Sequence, residues 1–514
     1  MNRPTSAARG AIALSVLTAL LAFAAPASAG FSPGAKTLGD PIIPQVGNGG
    51  YDVKKYEIDL SYDPVTNRFL AGTKTLIVAK ATQGLSRFSL DFQRDLAIDG
   101  VEVDGADASY SRADAKPKLS SNPEVTQPAK LTIKPPTGLA RGSKFSVVVA
   151  YHGEPKAIVD ADTSFEGWVQ ACSSPGDCDG SFTVNEPIGA QSWFPANNHP
   201  SDKAKLRLAT TAPAAYTAIG SGKQVSRVDN GDGTATTTWA ENKPMATYLA
   251  TGTVGRFDVE QGTMTDHTDG TEIPTFTAID SAGPQQRKDE VATAAMRIPE
   301  MVNFLARKFG SYPFETVGLV ADWVPAVGYA LENQTKPHFS GDEEGPQVDD
   351  STLAHELSHQ WMGDSISPAN WSTIWFNEGW ATFSEVLFDN KVDGAEMTPR
   401  KFFKAVYEIK PKYWKIAPAK LDGDPANLFD GVAVYNRPGA MLEGLREIIG
   451  NKRFFAFAHD LNDRHGYGNI SRGEFVGEAK RASGLHGGKL KRLGRYLRQW
   501  LLWQKRPHLT PSDF

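Results

Sequence analysis

Two histidines four residues apart, His355 and His359 in His355-Glu356-Leu357-Ser358-His359, constrain this chain more than any other feature. On a helix, residues at that spacing share a face, so both imidazoles can aim at one point. Glu356 stands one step round from His355, within reach of a water at that point. Glu378 follows His359 after eighteen intervening residues, in Asn377-Glu378-Gly379-Trp380-Ala381, inside a second aromatic, helix-like stretch from Trp375 to Phe388. A third ligand from a separate helix leaves the fourth position of a zinc ion open, as catalytic and not structural zinc requires. The bland alternative is a surface helix with two solvated histidines. The apolar flanks Leu353, Ala354, Leu357, Trp361 and Met362 argue instead for burial. A metzincin would place a third histidine where Ser365 stands, so the third ligand must come from elsewhere. His355, His359 and Glu378 therefore predict one catalytic Zn2+ per chain, in a hydrolase.

The first residues read as an export signal. Arg3 and Arg9 precede an apolar run from Ala11 to Ala25, and Ala27-Ser28-Ala29 is an A-x-A cleavage site. A membrane anchor is the competing reading, but the run is short and lacks a stop-transfer flank. The expected protein is secreted or periplasmic, begins near Gly30, and has no transmembrane segment. Removing residues 1–29 takes the formal charge from −5 to −7, a poor match to nucleic acid. The two cysteines, Cys172 and Cys178, flank a turn-rich loop. In an oxidising compartment a disulfide is the favoured reading, and zinc binding by the pair the lesser one.

Along the chain, Tyr51 to about Val254 is strand-like. Tyr56, Ile58, Leu60 and Tyr62 alternate with polar residues, as do Phe145, Val147, Val149 and Tyr151, with Asp63-Pro64 and Asn230-Gly231-Asp232-Gly233 as turns. Near Asp289 the period changes, and Val291–Phe309 reads as an amphipathic helix kinked at Pro299. The expected class is α+β with several domains: an antiparallel β domain over residues 30–255, then a mainly helical zinc domain over 256–514. Lys489, Lys491, Arg492, Arg495 and Arg498 interleave with Leu490, Leu493, Leu497, Trp500 and Leu501. A packed helix with a solvated basic face is favoured over a membrane-binding one. The remaining histidines show no ligand spacing.

The run from Thr352 to Ser384 resembles the gluzincin aminopeptidases of the aminopeptidase N and leukotriene hydrolase family. The pattern H-E-L-x-H-Q-W-x-G-D matches His355–Asp364, and W-x-N-E-G-x-A matches Trp375–Ala381. Phe309–Phe314, Gly328-Tyr329-Ala330-Leu331-Glu332-Asn333, Glu186-Pro187, Trp193–Pro195 and Val434-Tyr435 with Gly439-Ala440 are similar to further family segments in the same order. The resemblance implies a β-sandwich or saddle domain followed by a thermolysin-like zinc peptidase domain, in a short, secreted, bacterial-type member without the family's large C-terminal helical domain. It also implies that Glu356 is general base and acid, and that Tyr435 binds the oxyanion. Glu332 and Glu186 would hold the substrate amine, with Gly328, Ala330 and Asn333 beside it. The chain departs from the pattern at Tyr329 and Leu331, in place of Gly and Met, at Val184, Ala196 and Asn198, and by the extra Pro438. Glu385, seven residues after Glu378, is a candidate to orient a zinc ligand.

The expected activity is an aminopeptidase, a monomer acting on peptides with a free N-terminus and not on nucleic acid. A thermolysin-like endopeptidase is the second reading, against which Glu332 argues. An inactive peptide-binding homologue is the third, and the presence of Glu356 and Tyr435 weighs against it.

Overall fold

The computed structural model describes residue 1 and residues 30–514 apart from residue 175. Residues 2–29, which hold nearly all of the expected signal peptide, lie outside the described residues. The alternating pattern of Tyr56, Ile58, Leu60 and Tyr62 becomes the strand Tyr51–Asp63, with those four side chains buried on one face. It lies inside a nine-stranded sheet with Ala204–Pro213 and Lys74–Ala81 on either side. The turn Asn230–Gly233 joins the paired strands Lys223–Asp229 and Thr234–Met245. The pairing between Ala204–Pro213 and Tyr51–Asp63 is parallel, which corrects the expectation of a wholly antiparallel β region. Side-chain alternation reports which face is buried and is the same for either strand direction.

A five-stranded sheet follows, carrying the hairpin Phe165–Ser174 and Asp177–Val184. Cys172 and Cys178 are joined by a disulfide near its tip. Sheet membership changes between Gly255 and Phe257, where a second five-stranded sheet starts with Phe257–Thr265. Its far edge is the short strand Ala330–Leu331, antiparallel to His338–Ser340.

Nine α-helices are found among the described residues: α1 Gln285–Ala295, α2 Ile298–Phe309, α3 Asp350–His359, α4 Trp375–Lys391, α5 Pro399–Glu408, α6 Arg437–Ile449, α7 Asn451–His465, α8 Arg472–Ala482 and α9 Gly487–Leu502. The expected single kinked helix is two, α1 and α2, separated at Met296–Arg297. Pro299 lies in the first turn of α2, where a missing N–H costs nothing. On α9, Leu493, Leu497, Trp500 and Leu501 are buried while Lys489, Lys491, Arg495 and Arg498 are exposed, so the basic stripe is a solvated face. Among the described residues no helix is long and apolar enough to cross a membrane.

Candidate active site

Asp349 caps α3, its carboxylate accepting the Thr352 N–H at 2.9 Å and so satisfying a first-turn donor with no helical partner. Leu353, Ala354 and Leu357 are fully buried and fix how α3 seats in the core. α4 places Glu378 in its first turn. Gly379 beside it is required by packing, because a Cβ there would lie 2.5 Å from Pro438 Cβ. Pro438 sits in the first turn of α6, so the inserted proline starts that helix without breaking it. Tyr435 lies just before α6, its ring stacked 6.1 Å from that of His355.

His355 Nε2 lies 3.3 Å from Glu378 Oε2, and His359 Nε2 lies 3.5 Å from the same oxygen. The outer nitrogens face other groups: His355 Nδ1 meets Glu385 Oε2 at 3.1 Å, and His359 Nδ1 meets the Met362 carbonyl at 3.4 Å. This leaves both Nε2 atoms free to ligate, oriented by their far-side partners. One ligand atom from each of His355, His359 and Glu378 lies within 4.8 Å of the others. Two imidazoles and a carboxylate are a donor set zinc takes in open sites, so the residues present fit that ion.

These side chains face a cavity of about 290 Å³, shared with Glu186, Ala330, Glu332, Glu356 and Tyr435. Oε1 of Glu186, Oε1 of Glu332 and Oε2 of Glu356 are buried without a hydrogen-bond partner among the described residues. Burial pushes the Glu356 carboxyl up to about 7; His355 and His359 oppose the rise, and Glu332 and Glu378 add to it. Burial, and then repulsion from Glu332, also raise the Glu186 carboxyl well above the usual range. Buried acids without partners are costly to keep, and a bound cation relieves that cost.

Two expected substrate contacts fall elsewhere. The Asn333 amide donates to Thr183 O and Thr251 Oγ1, each at 3.1 Å, tying its loop to the β region. Gly328 lines a separate surface pocket with Pro325 and Gln347. Neither residue lines the central cavity. Glu332 directly follows the edge strand, and Gln360 at the end of α3 laces that segment in place. Its Nε2 donates to Glu332 O at 3.2 Å, and its Oε1 accepts Thr335 N–H at 2.8 Å. Across the cavity, Asn185 donates to Ala250 O at 2.6 Å and accepts Trp193 Nε1–H at 2.9 Å, which fixes the backbone before Glu186.

The Peptidase M1 N-terminal domain model matches residues 53–249, and the Peptidase family M1 domain model matches residues 336–500. The chain belongs to peptidase family M1. It is similar to leucine aminopeptidase 2 of Vanderwaltozyma polyspora, 23% identical over 333 residues, covering 64% of this chain and 45% of that protein. It is also similar to human glutamyl aminopeptidase, 23% identical over 319 residues, covering 59% and 32%. The chain thus spans less than half the length of these curated relatives. Among solved structures, an M1 zinc metallopeptidase from Deinococcus radiodurans superposes with a TM-score of 0.75 at 22% identity, covering 92% of this chain and 99% of that one. A mutant of that protein bound to a Tyr-Ser-Ala substrate gives a TM-score of 0.74 at 23% identity, covering 92% and 98%. These likenesses show a shared α+β fold.

In this member of family M1 the cavity includes residues that the sequence does not single out. Asp162, Ser164 and Phe429 line it beside Tyr329 and Leu331. An Asp-x-Ser run in a turn carries no signal beyond ordinary turn chemistry. Asn377 of the Asn-Glu-Gly run donates to Tyr248 O–H at 3.1 Å, which links α4 to the β region.

Proposed function

We propose that this chain is an exported zinc aminopeptidase that hydrolyses the first peptide bond of peptides with a free N-terminus. One observation carries the reading: three converging ligand side chains and two unpartnered buried carboxylates, Glu186 and Glu332, share one cavity. The names of the relatives, leucine and glutamyl aminopeptidase, and the Tyr-Ser-Ala complex of the Deinococcus protein support it.

Held by His355, His359 and Glu378, zinc supplies Lewis-acid polarisation and a water acidic enough to attack near neutral pH. Glu356 accepts the proton of the attacking water and passes it to the leaving amine, from a position in the same cavity as the three ligand side chains. The Tyr435 hydroxyl donates to the oxyanion that develops on the scissile carbonyl. Glu332 and Glu186 pair with the protonated amine and so set which peptide bond lies over the ligands. The edge strand Ala330–Leu331 offers its backbone for the substrate to add as another strand.

The test is hydrolysis of aminoacyl arylamides and their N-acetyl forms, with and without a chelator. Cleavage of the free forms alone, abolished by the chelator, is expected; turnover that ignores either acetylation or chelation would sink the reading. Export is supported by Ala27-Ser28-Ala29 and by the Cys172–Cys178 disulfide. Sequencing the N-terminus of protein recovered outside the cytoplasm is expected to give a start near Gly30.

A further inference from the structure

Five carboxylates line the central cavity, against two histidines and no lysine or arginine among the described residues. Under the aminopeptidase reading four of them have a role. Glu378 ligates, Glu356 moves the proton, and Glu332 and Glu186 take the amine. Asp162 is left over. It sits in a tight turn between the paired strands Ile158–Val159 and Phe165–Ser174. The turn closes through Asp160 N–H to Ser164 O and Thr163 N–H to Asp160 O, both 2.9 Å, with Thr163 in the left-handed region at φ 76°. Asp162 Oδ1 accepts from Ser164 N–H at 2.9 Å and Ser164 O–H at 2.6 Å. Its other oxygen, Oδ2, takes no hydrogen bond and no ion pair from the described residues. The carboxylate is therefore held in position by one oxygen and offered by the other.

The wall beside it departs from the family pattern at one residue. Tyr329 stands where the family pattern has glycine, and its O–H donates to Phe165 O at 2.7 Å, joining the segment before Glu332 to the strand that follows the turn. Phe429 lines the same cavity. The wall thus combines aromatic surface with a carboxylate at an exposed turn. A long cationic side chain matches that layout, its methylene stem on the rings and its charged head at Asp162. A neutral aliphatic side chain would fill the aromatic part and leave Asp162 unused.

We propose that Asp162, in the wall built with Ser164 and Tyr329, makes this peptidase select arginine or lysine as the residue it releases. The proposal rests on the aminopeptidase reading, because the anchored amine decides which side chain meets this wall. The test compares arginyl and citrullyl arylamides, which have closely similar shapes and differ in charge, alongside their N-acetyl forms. In the wild-type enzyme, kcat/KM for arginyl is expected to exceed that for citrullyl by roughly two- to fivefold, the size an accessible ion pair supports. Asp162→Asn keeps an acceptor for Ser164, and is expected to bring that ratio near one. Asp162→Arg is expected to bring it below one. Equal cleavage of the two free substrates by wild type would overturn the subsite and leave the aminopeptidase standing. A preference for arginyl that survives Asp162→Asn would overturn the role of Asp162. Cleavage of the acetylated forms alone would overturn both readings.

Discussion

Two groups of residues that line the cavity are built in contrasting ways. In the ligand group, His355, Glu356, His359 and Glu378 come from two packed helices within one short stretch of chain, and Glu356, His359 and Glu378 are buried. Elsewhere in the cavity lining, Asp162, Tyr329 and Phe429 come from a turn, the residue before an edge strand, and a loop, far apart in sequence, and Asp162 is exposed. The difference separates two kinds of requirement. Chemistry needs donors fixed against one another, which helix geometry and a packed core provide. Selection of a side chain needs only a shaped wall, which turns can supply and vary.

The sharpest way to break this contrast is at the ligands. His359→Ala removes one of three donors, so the bound metal, measured by elemental analysis, is expected to fall to a small fraction and activity to be lost. Retention of both would show that the helices do not carry the reaction. Glu356→Gln should keep the metal while lowering kcat by about 10²- to 10⁴-fold, the range for loss of a general base.

On the wall side, the expected signature is one of stability and pH. Burial pushes the Asp160 carboxyl, at the base of the turn, up to about 7, with Asp162 adding to the rise. Its folded pKa lies above the unfolded value of 3.8, so the stability it permits is complete below about pH 4 and is lost as pH rises through 7. Relative to wild type, Asp160→Asn should therefore gain stability between pH 4 and 7, by up to about 4 kcal/mol in denaturant unfolding. A difference independent of pH would show that Asp160 ionises freely in the folded protein. The smallest effect concerns support of the ligands: Glu385→Gln, which weakens the acceptor facing His355 Nδ1, should reduce metal affinity by about 10- to 100-fold in a competition titration.

The same contrast governs what can be read from the chain. The candidate ligand set is legible from spacing together with its apolar flanks, because a period of four on a buried helix and a glutamate on the next leave few alternatives. Glu332, Glu186 and Tyr435 are legible only through family resemblance, since nothing local to them marks a metal or a substrate. That route also places Asn333 and Gly328 at the substrate, whereas the structure uses the Asn333 amide to tie its loop to the β region. Asp162 escapes notice because an Asp-x-Ser turn is common and its value comes from Tyr329 and Phe429, remote in sequence. Strand direction is illegible for a related reason. Alternation along Tyr51–Asp63 names the buried face, while its parallel partner Ala204–Pro213 is set by a connection through most of the β region. The split between α1 and α2 is hidden because the apolar period continues across Met296–Arg297.

On the proposed function, the buried carboxylates Glu186 and Glu332 turn a metal centre that cleaves peptides into one that counts from the N-terminus. The most direct test is mass analysis of the products from one defined peptide and its N-acetyl form, using wild type and Glu332→Gln. Wild type should shorten the free peptide one residue at a time and leave the acetylated one intact, with Glu332→Gln losing most of that activity. Internal cuts in both peptides by wild type, unaffected by Glu332→Gln, would contradict the account.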